Sequence, residues 1–369
     1  MYTVALFGGG KIGETICALL CSSGRYQVKV CDIDGARAQA AAARFDGATG
    51  HALDVSNKEA TLKILSGCDA VLSALPYHCN VTVAELALQS KVNYFDLTED
   101  VKTTAAVAKL AASAPIGFMP QCGLAPGFIS IAAAHLTKLF DKLDTLKLRV
   151  GALPIFPSNR LKYNLTWSTE GLINEYGNMC EVVENGERKL AFPLEGYERF
   201  SLDGDEYEAF NTSGGLGSLA HTLGGNVRQL DYKTIRYPGH RDLVAFLMQE
   251  LKFNEDRQTL GKVFERSIPT TVQDKCIIFV EARGWKSGKF VQKTYASTVY
   301  NSVINNSHFG AIQITTAAGI CAPLDLLLTG KLSKKTGMLL SEDIRLPDFL
   351  NNEFGKYYRD DKALSGIAN

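Results

Sequence analysis

Six residues near the start of the chain, Gly8-Gly9-Gly10-Lys11-Ile12-Gly13, have the spacing G-x-G-x-x-G. An apolar run, Tyr2 to Phe7, leads into them, and Glu14 to Ser22 leads out with helical period through Ile16, Leu19 and Leu20. In that context each glycine has a task. Gly8 allows a tight turn, Gly10 lets the backbone approach a pyrophosphate, and Gly13 lets the helix pack close to the strand. Lys11 and Ile12 open the helix, whose N-terminus faces the phosphates. A second apolar run, Gln27 to Cys31, ends in Asp32. Asp32 lies about 20 residues past Gly13, the place for the acid that holds the adenosine ribose hydroxyls. Asp34 adds a second carboxylate, and the pair should repel a 2′-phosphate, with Arg37 close enough to temper this. The expected cofactor is therefore NAD rather than NADP. Ile33, Asp54 near the adenine, and Ala74-Leu75-Pro76 complete the cofactor-binding candidates.

These residues need a scaffold, and the alternation of short apolar runs with helical stretches supplies it. Strands are expected at Thr49 to Val55, Cys68 to Leu75, Val92 to Leu97 and Ile116 to Gln121, with helices between them. Repeated βα units imply a doubly wound parallel sheet of Rossmann type, with ligands beyond the carboxyl ends of its strands. Those ends carry Pro76-Tyr77-His78, Asp96-Leu97-Thr98-Glu99-Asp100 and Gln121-Cys122-Gly123-Leu124-Ala125-Pro126-Gly127.

From about Thr145 the pattern changes to period-two strands and hairpins, with Asn185-Gly186 and Lys286-Ser287-Gly288-Lys289 as turns. One expected strand is Leu161 to Trp167. This is an α+β domain on a largely antiparallel sheet. Phe309 to Leu328 then returns to helix with Asp325 as its single charge, so it should be buried. The tail from Ser341 is charged and is expected on the surface. The resulting division is 1–126, 127–307 and 308–369.

Composition excludes some partners. Lys plus Arg and Asp plus Glu are both 39, for zero formal net charge. Broad nucleic-acid or membrane-surface binding normally needs a basic excess. No apolar run approaches the roughly 20 residues of a membrane span. Tyr2 to Phe7 has no basic leader before it, and nine cysteines are scattered without a C-x-x-C. The expectation is a cytoplasmic chain with reduced thiols and no metal site. Cys17 and Cys21, one helical turn apart, read as small core residues.

The motifs Gly8 to Gly13, Ala74-Leu75-Pro76-Tyr77, Tyr94-Phe95-Asp96-Leu97-Thr98-Glu99 and Cys122 to Gly127 do not stand alone. They are followed by Trp167-Ser168-Thr169-Glu170-Gly171-Leu172-Ile173-Asn174-Glu175-Tyr176, Asn211-Thr212-Ser213-Gly214-Gly215 and Arg236-Tyr237-Pro238-Gly239-His240. Together, to about residue 330, the set resembles the saccharopine dehydrogenase family, in particular its shorter branch containing lysine 6-dehydrogenase. The longer reductases carry an extra helical segment for which 369 residues leave little room. The resemblance implies NAD(P)-linked hydride transfer, in oxidation or reduction, at a carbon–nitrogen bond of lysine or saccharopine, a small zwitterionic substrate, and a homodimer through the strand-rich domain. Alternatives are an NADPH-linked condensing reductase, such as one making carboxynorspermidine, and a dinucleotide-binding redox sensor without turnover.

Hydride leaves a carbon bearing nitrogen only when that nitrogen is neutral, so a base must first take a proton. The iminium product needs negative or dipolar groups, and a substrate carboxylate needs Arg, Lys or backbone donors. His240, on a loop before a helix, is the expected proton acceptor because histidine titrates near neutrality. Asp96 and Glu99 could hold an ammonium. Tyr77 and Cys122 match family positions lining the site, and Cys122 is small enough to let the nicotinamide pack. The resemblance places Glu170 near the amine and adds Trp167 and Ser213 to the substrate candidates. Arg160 and Arg241 are the candidates for the carboxylate.

Overall fold

A computed structural model describes residues 1–359. It divides the chain into two compact units. One comprises Met1–Ile131, Val303–Ser307 and Gln313–Tyr357; the other comprises Ala132–Ser302, His308–Ile312 and, of the described residues, those from Tyr358 to Arg359.

The chain begins β1 (Tyr2–Phe7), α1 (Lys11–Ser22), β2 (Tyr26–Asp32), α2 (Gly35–Ala42), β3 (Ala48–Ala52), α3 (Lys58–Leu65), β4 (Ala70–Ser73), α4 (Asn80–Ser90), β5 (Asn93–Asp96), α5 (Val101–Ala111) and β6 (Gly117–Met119). It continues with α6 (Phe128–Thr137), β7 (Lys142–Pro154), α7 (Thr169–Gly177), β8 (Cys180–Glu184), β9 (Glu187–Ala191), β10 (Glu198–Leu202), β11 (Asp205–Asn211), α8 (Leu219–Thr222) and β12 (Gln229–Arg236). It ends with α9 (His240–Ala245), α10 (Arg257–Ser267), β13 (Asp274–Lys286), β14 (Lys289–Tyr300), β15 (Ser302–Ile304), β16 (Ser307–Phe309), α11 (Ala311–Leu328), β17 (Gly337–Met338) and α12 (Leu346–Leu350).

The first unit is built on a parallel sheet in the order β17-β6-β5-β4-β1-β2-β3. The order reverses between β1 and β4, and this is the switch point at which such sheets bind ligands. Val4, Ala5, Leu6 and Phe7 of β1 are all fully buried, as a central parallel strand covered on both faces requires. Each large side chain of that kind stabilises the fold by roughly 1.5–3 kcal/mol. Asp34, Asn57 and Asp100 cap α2, α3 and α5 through their side chains. Helix α11 is long and apolar enough to cross a membrane by composition, but 83% of it is buried in the protein. Its one charge, Asp325, is buried with it. That carboxylate accepts from Tyr26 Oη at 2.6 Å and Asn352 Nδ2 at 2.7 Å, and pairs with Arg25 at 2.8 Å. The charge is tolerated because three donors replace the water it loses. The stretch from Ser341, expected as a charged surface tail, buries Leu346, Phe349, Leu350 and Phe354. Residues 360–369 of that expected tail lie outside the described residues.

The second unit carries a sheet in the order β10-β11-β12-β7-β13-β14, with β8 pairing β12 and β9 pairing β8. Only the β12–β7 pair is parallel among these. Asn185-Gly186 and Ser287-Gly288 make the expected turns, all four with positive φ. Leu161 to Trp167 is not a strand. One isolated bridge joins Leu165 to Thr270, and Tyr163 and Leu165 turn into a cluster with α7, α9 and α10 instead. The β10–β11 hairpin was not expected, although it turns on Asp203-Gly204, with φ of 51° and 87°. Gly204→Ala is expected to lower stability by about 1 kcal/mol, because a Cβ is strained at that φ. A shift of that size in the urea midpoint, with an unchanged slope, is the check.

Candidate active site

In the first unit, Gly8 has φ +103°, and a Cβ there would lie 2.7 Å from the Ala74 carbonyl oxygen. A Cβ on Gly13 would lie 1.8 Å from the Gly8 oxygen, so helix and loop touch through bare backbone. A methyl on Gly10 would meet nothing within 4 Å, and Gly10 caps α1 without any side-chain bond. The first-turn N–H groups of α1, those of Lys11 and Ile12 among them, are therefore left without a side-chain cap. Uncapped backbone donors at a helix N-terminus suit phosphate oxygens, so the residues fit a dinucleotide.

Asp32 is 6% exposed and accepts from the Gly9 N–H at 2.8 Å and the Asp34 N–H at 2.9 Å. Its carboxylate thus ties the end of β2 to the glycine loop. Arg37 stands 3.6 Å from Asp32 and 3.7 Å from Asp34. Ile33 between the two acids is 75% exposed. Asp54 is exposed, and the Ser56 backbone and side chain hold its carboxyl below the usual range. Ala74 donates its N–H to the Phe7 oxygen at 2.8 Å, fixing the start of Leu75-Pro76 beside β1.

At the ends of β5 and β6 the structure corrects the expectation for Asp96. Asp96 is fully buried and accepts from Tyr94 Oη at 2.6 Å, the Thr98 N–H at 2.9 Å and the Gln121 N–H at 3.1 Å. Burial nonetheless pushes its carboxyl up to about 6. Its oxygens hold two turns together instead of waiting for an ammonium. Cys122 is 1% exposed, donates its thiol to the Met119 oxygen, and is pushed well up by burial, with Asp96 adding to it. It is a neutral packing residue. Tyr77, by contrast, is 37% exposed on a short 3₁₀ turn, edge-on to His78, and Glu99 is half-buried.

In the second unit, His240 is also corrected. It is the first residue of α9, 2% exposed, and both its ring nitrogens are engaged. Nδ1 donates to the Leu161 carbonyl at 2.7 Å, which leaves Nε2 to accept from Tyr176 Oη at 3.0 Å. Tyr176 in turn accepts from Arg236 Nε at 2.8 Å. Burial and the Arg236 charge lower the imidazole to about 3. It is neutral at physiological pH, has no nitrogen turned to a substrate, and is too weak a base for the expected proton transfer. Arg241 is likewise held, its Nε donating to the Leu194 oxygen at 2.8 Å and its backbone N–H to Glu208 at 2.6 Å.

The remaining candidates are more accessible. Glu170 and Arg160 are exposed, and Glu170 stands in the first turn of α7, capped by Ser168. Trp167 is half-buried, lies against Gly171 and donates Nε1 to Tyr163 Oη at 3.1 Å. Ser213 donates Oγ to the Asn174 oxygen at 3.1 Å and its N–H to the Glu175 oxygen at 3.1 Å. Trp167, Glu170 and Ser213 are thus all drawn to α7, whereas Arg160 and Arg241 are not.

Sequence reasoning passed over the centre of this region. Arg236 is 2% exposed, lies over the rings of Tyr163 at 5.0 Å and Tyr176 at 5.7 Å, and reaches Glu175 at 4.0 Å. In the same unit, Asn164 Oδ1 and Thr212 Oγ1 are buried with no hydrogen-bond partner among the described residues. Arg236, Tyr176 and Thr212 all stood inside the recognised motifs, and a polar residue amid apolar neighbours was the available signal. Among the described residues no cluster of three or more His, Cys, Asp or Glu side chains has metal-site geometry.

Two family models match the chain. Residues 4–118 match the saccharopine dehydrogenase NADP binding domain, and residues 123–352 match the saccharopine dehydrogenase C-terminal domain. The chain is 27% identical over 192 residues to the saccharopine dehydrogenase [NADP(+), L-glutamate-forming] of Saccharomyces cerevisiae, across 50% of this chain and 42% of that protein. The matched stretch covers 13% to 43% of the curated relatives' own length, so the chain spans less than half of each. Among solved structures, apo saccharopine dehydrogenase (L-Glu forming) from Saccharomyces cerevisiae superposes with a TM-score of 0.78 at 18% identity, covering 95% of this chain and 96% of that one. A homospermidine synthase from Legionella pneumophila, solved in complex with NAD, superposes with a TM-score of 0.67 at 13% identity, covering 97% and 89%. The domain matches account for both the glycine-loop unit and the sheet that follows it: the chain belongs to the saccharopine dehydrogenase family, an oxidoreductase family of nicotinamide-dependent dehydrogenases.

Proposed function

We propose that this protein is an NAD-dependent amino-acid dehydrogenase acting at a carbon–nitrogen bond of lysine or saccharopine. The observation that carries the reading is the joint match of both saccharopine dehydrogenase domains over 4–118 and 123–352, with the glycine loop built to receive a pyrophosphate. The bound nicotinamide supplies the hydride acceptor. This chain's residues bind the zwitterion, take the amine proton and stabilise the cation that forms.

With His240 neutral and enclosed, an accessible acid of the same unit takes its place. Glu170 at the start of α7 is assigned to the substrate ammonium and its proton, and Arg160 to a carboxylate. Asn164 and Thr212 offer oxygens for a polar atom of the substrate. Replacing Glu170 by Gln should raise KM for the amine substrate at least tenfold, with NADH affinity unchanged. An unchanged KM would remove Glu170 from the site.

The cofactor preference rests on the end of β2. A 2′-phosphate there would meet Asp32 and Asp34, and the nearby Arg37 is already beside both carboxylates. The family model and the yeast relative are named for NADP, which makes the prediction a sharp one. In a fluorescence titration NADH should bind at least tenfold tighter than NADPH, and Asp32→Ala with Asp34→Ala should narrow the ratio. Equal or tighter NADPH binding overturns the preference. Lysine, saccharopine and diaminopimelate are the substrates to screen, and tight NADH binding without turnover of any would overturn the enzyme reading.

A further inference from the structure

Helix α1 carries a pair of thiols that the dehydrogenase reading does not use. Cys17 and Cys21 stand one turn apart with their sulfurs 4.0 Å from each other. Cys17 is fully buried, while Cys21 is only partly so. Cys321 of α11 lies near enough to both for its charge to be felt by Cys17 and to feel that of Cys21. Either thiol can donate to the other. Contact with Cys21 and burial raise the Cys17 thiol. Cys21 is the more exposed sulfur, so it is the one a peroxide reaches first.

We propose that Cys17 and Cys21 are a peroxide-oxidisable dithiol that closes to a reversible disulfide within α1. In the first step the Cys21 thiolate attacks a peroxide oxygen. A sulfur–oxygen bond forms, the oxygen–oxygen bond breaks, and hydroxide leaves to give a sulfenic acid. In the second step Cys17 loses its proton and its sulfur attacks Cys21. The sulfur–sulfur bond forms, the sulfur–oxygen bond breaks, and water leaves. Two thiols are oxidised by two electrons, and one hydrogen peroxide is reduced to two waters.

The geometry says what closure must do. Residues four apart on a helix have Cβ atoms about 5–6 Å apart, whereas a disulfide needs roughly 3.5–4.5 Å. The helix must therefore yield by about 1–2 Å between the two residues. Cys21 is in the last turn, and Ser23 and Gly24 end the helix through N–H bonds to Leu20 and Cys21. The adjustment falls at the end of α1 away from the glycine loop, around the buried Leu19 and Leu20. A bond held against such strain is readily reduced again.

The test treats the full-length protein with hydrogen peroxide, then denatures it, alkylates the remaining thiols and maps peptides by mass spectrometry. The expected result is a Cys17–Cys21 pair short of two hydrogens, protected from alkylation and restored by dithiothreitol. Cys17→Ser should instead leave Cys21 as a sulfenic acid that dimedone captures, and Cys21→Ser should leave Cys17 alkylatable. A disulfide from either residue to Cys321 would overturn the pairing. So would wild-type protein in which Cys17 stays alkylatable while Cys21 is over-oxidised, or in which neither thiol changes. Near-ultraviolet and far-ultraviolet circular dichroism of each serine variant separates loss of fold from loss of chemistry.

Discussion

In urea unfolding across a pH series, the wild-type protein should lose stability relative to His240→Asn as the pH falls from about 6.5 to about 3. The folded imidazole is lowered to about 3, first by burial and then by the Arg236 charge. The unfolded ring takes up a proton near its ordinary value of 6.5. Between those values the unfolded chain binds more protons than the folded one, so acid draws the equilibrium towards unfolding. One proton gives a slope of about 1.4 kcal/mol per pH unit, several kcal/mol over the window. The variant carries a constant cost for losing the Leu161 and Tyr176 bonds, but not the slope. A difference curve that is flat in this range, or a ring that titrates near 6.5 by ¹⁵N NMR, would contradict the buried neutral state.

The comparison with the variant matters because two carboxylates act in the other direction. Asp96 and Asp274 are both pushed up to about 6, mainly by burial. Folded, they take up protons before the unfolded chain does, so their contribution rises as the pH falls from about 6 to 3.8. Glu198, whose partners Arg149 and Lys233 hold it down to about 2, contributes stability above about 4.5 that is lost towards 2. Between about pH 6 and 4.5 the two carboxylates outweigh His240, so the whole-protein curve should rise as the pH falls and turn down below about pH 4, where His240 and Glu198 act together; the His240 slope is hidden unless it is isolated.

His240 also shows what a sequence can reveal here. The glycine loop and the alternating units were legible because their signals are local: three glycines, an acid at the end of the next strand, and apolar runs of the right length. The environment of His240 was not, because its partners Leu161 and Tyr176 are 79 and 64 residues away. Nothing beside His240 in the chain says that both nitrogens will be taken. Asp96 misleads for the same reason, since Gln121, one of its three donors, arrives from another strand's end. Leu161 to Trp167 has the alternation of a strand, yet Tyr163 and Leu165 join a helix-lined cluster and one bridge is all the pairing they make. Periodicity reports which side chains want burial, but the partner that buries them is decided elsewhere. The β10–β11 hairpin is the opposite case, for Asp203-Gly204 was a local signal left unread.

The glycine loop allows binding and folding to be separated by two alanines. Gly10→Ala should leave stability within about 0.5 kcal/mol of wild type, because its φ is −75° and its methyl meets nothing within 4 Å. The same methyl would stand where a pyrophosphate must approach the backbone, so NADH affinity should fall at least a hundredfold. Gly13→Ala should fail differently. Its methyl would lie 1.8 Å from the Gly8 oxygen and 2.9 Å from the Gly8 carbonyl carbon. Backbone cannot step aside as a flexible side chain can, so α1 must move off β1, at a cost of about 3 kcal/mol or more. The β1–α1 packing buries Ile16, Leu19 and Leu20, and that loss should appear as a lowered melting temperature without any ligand present. Affinity for NADH should fall as well, since the uncapped N–H groups of α1 move with the helix. If Gly10→Ala melted early, or if Gly13→Ala kept both its melting temperature and its affinity, the close approach of helix and loop would not be the feature that builds this site.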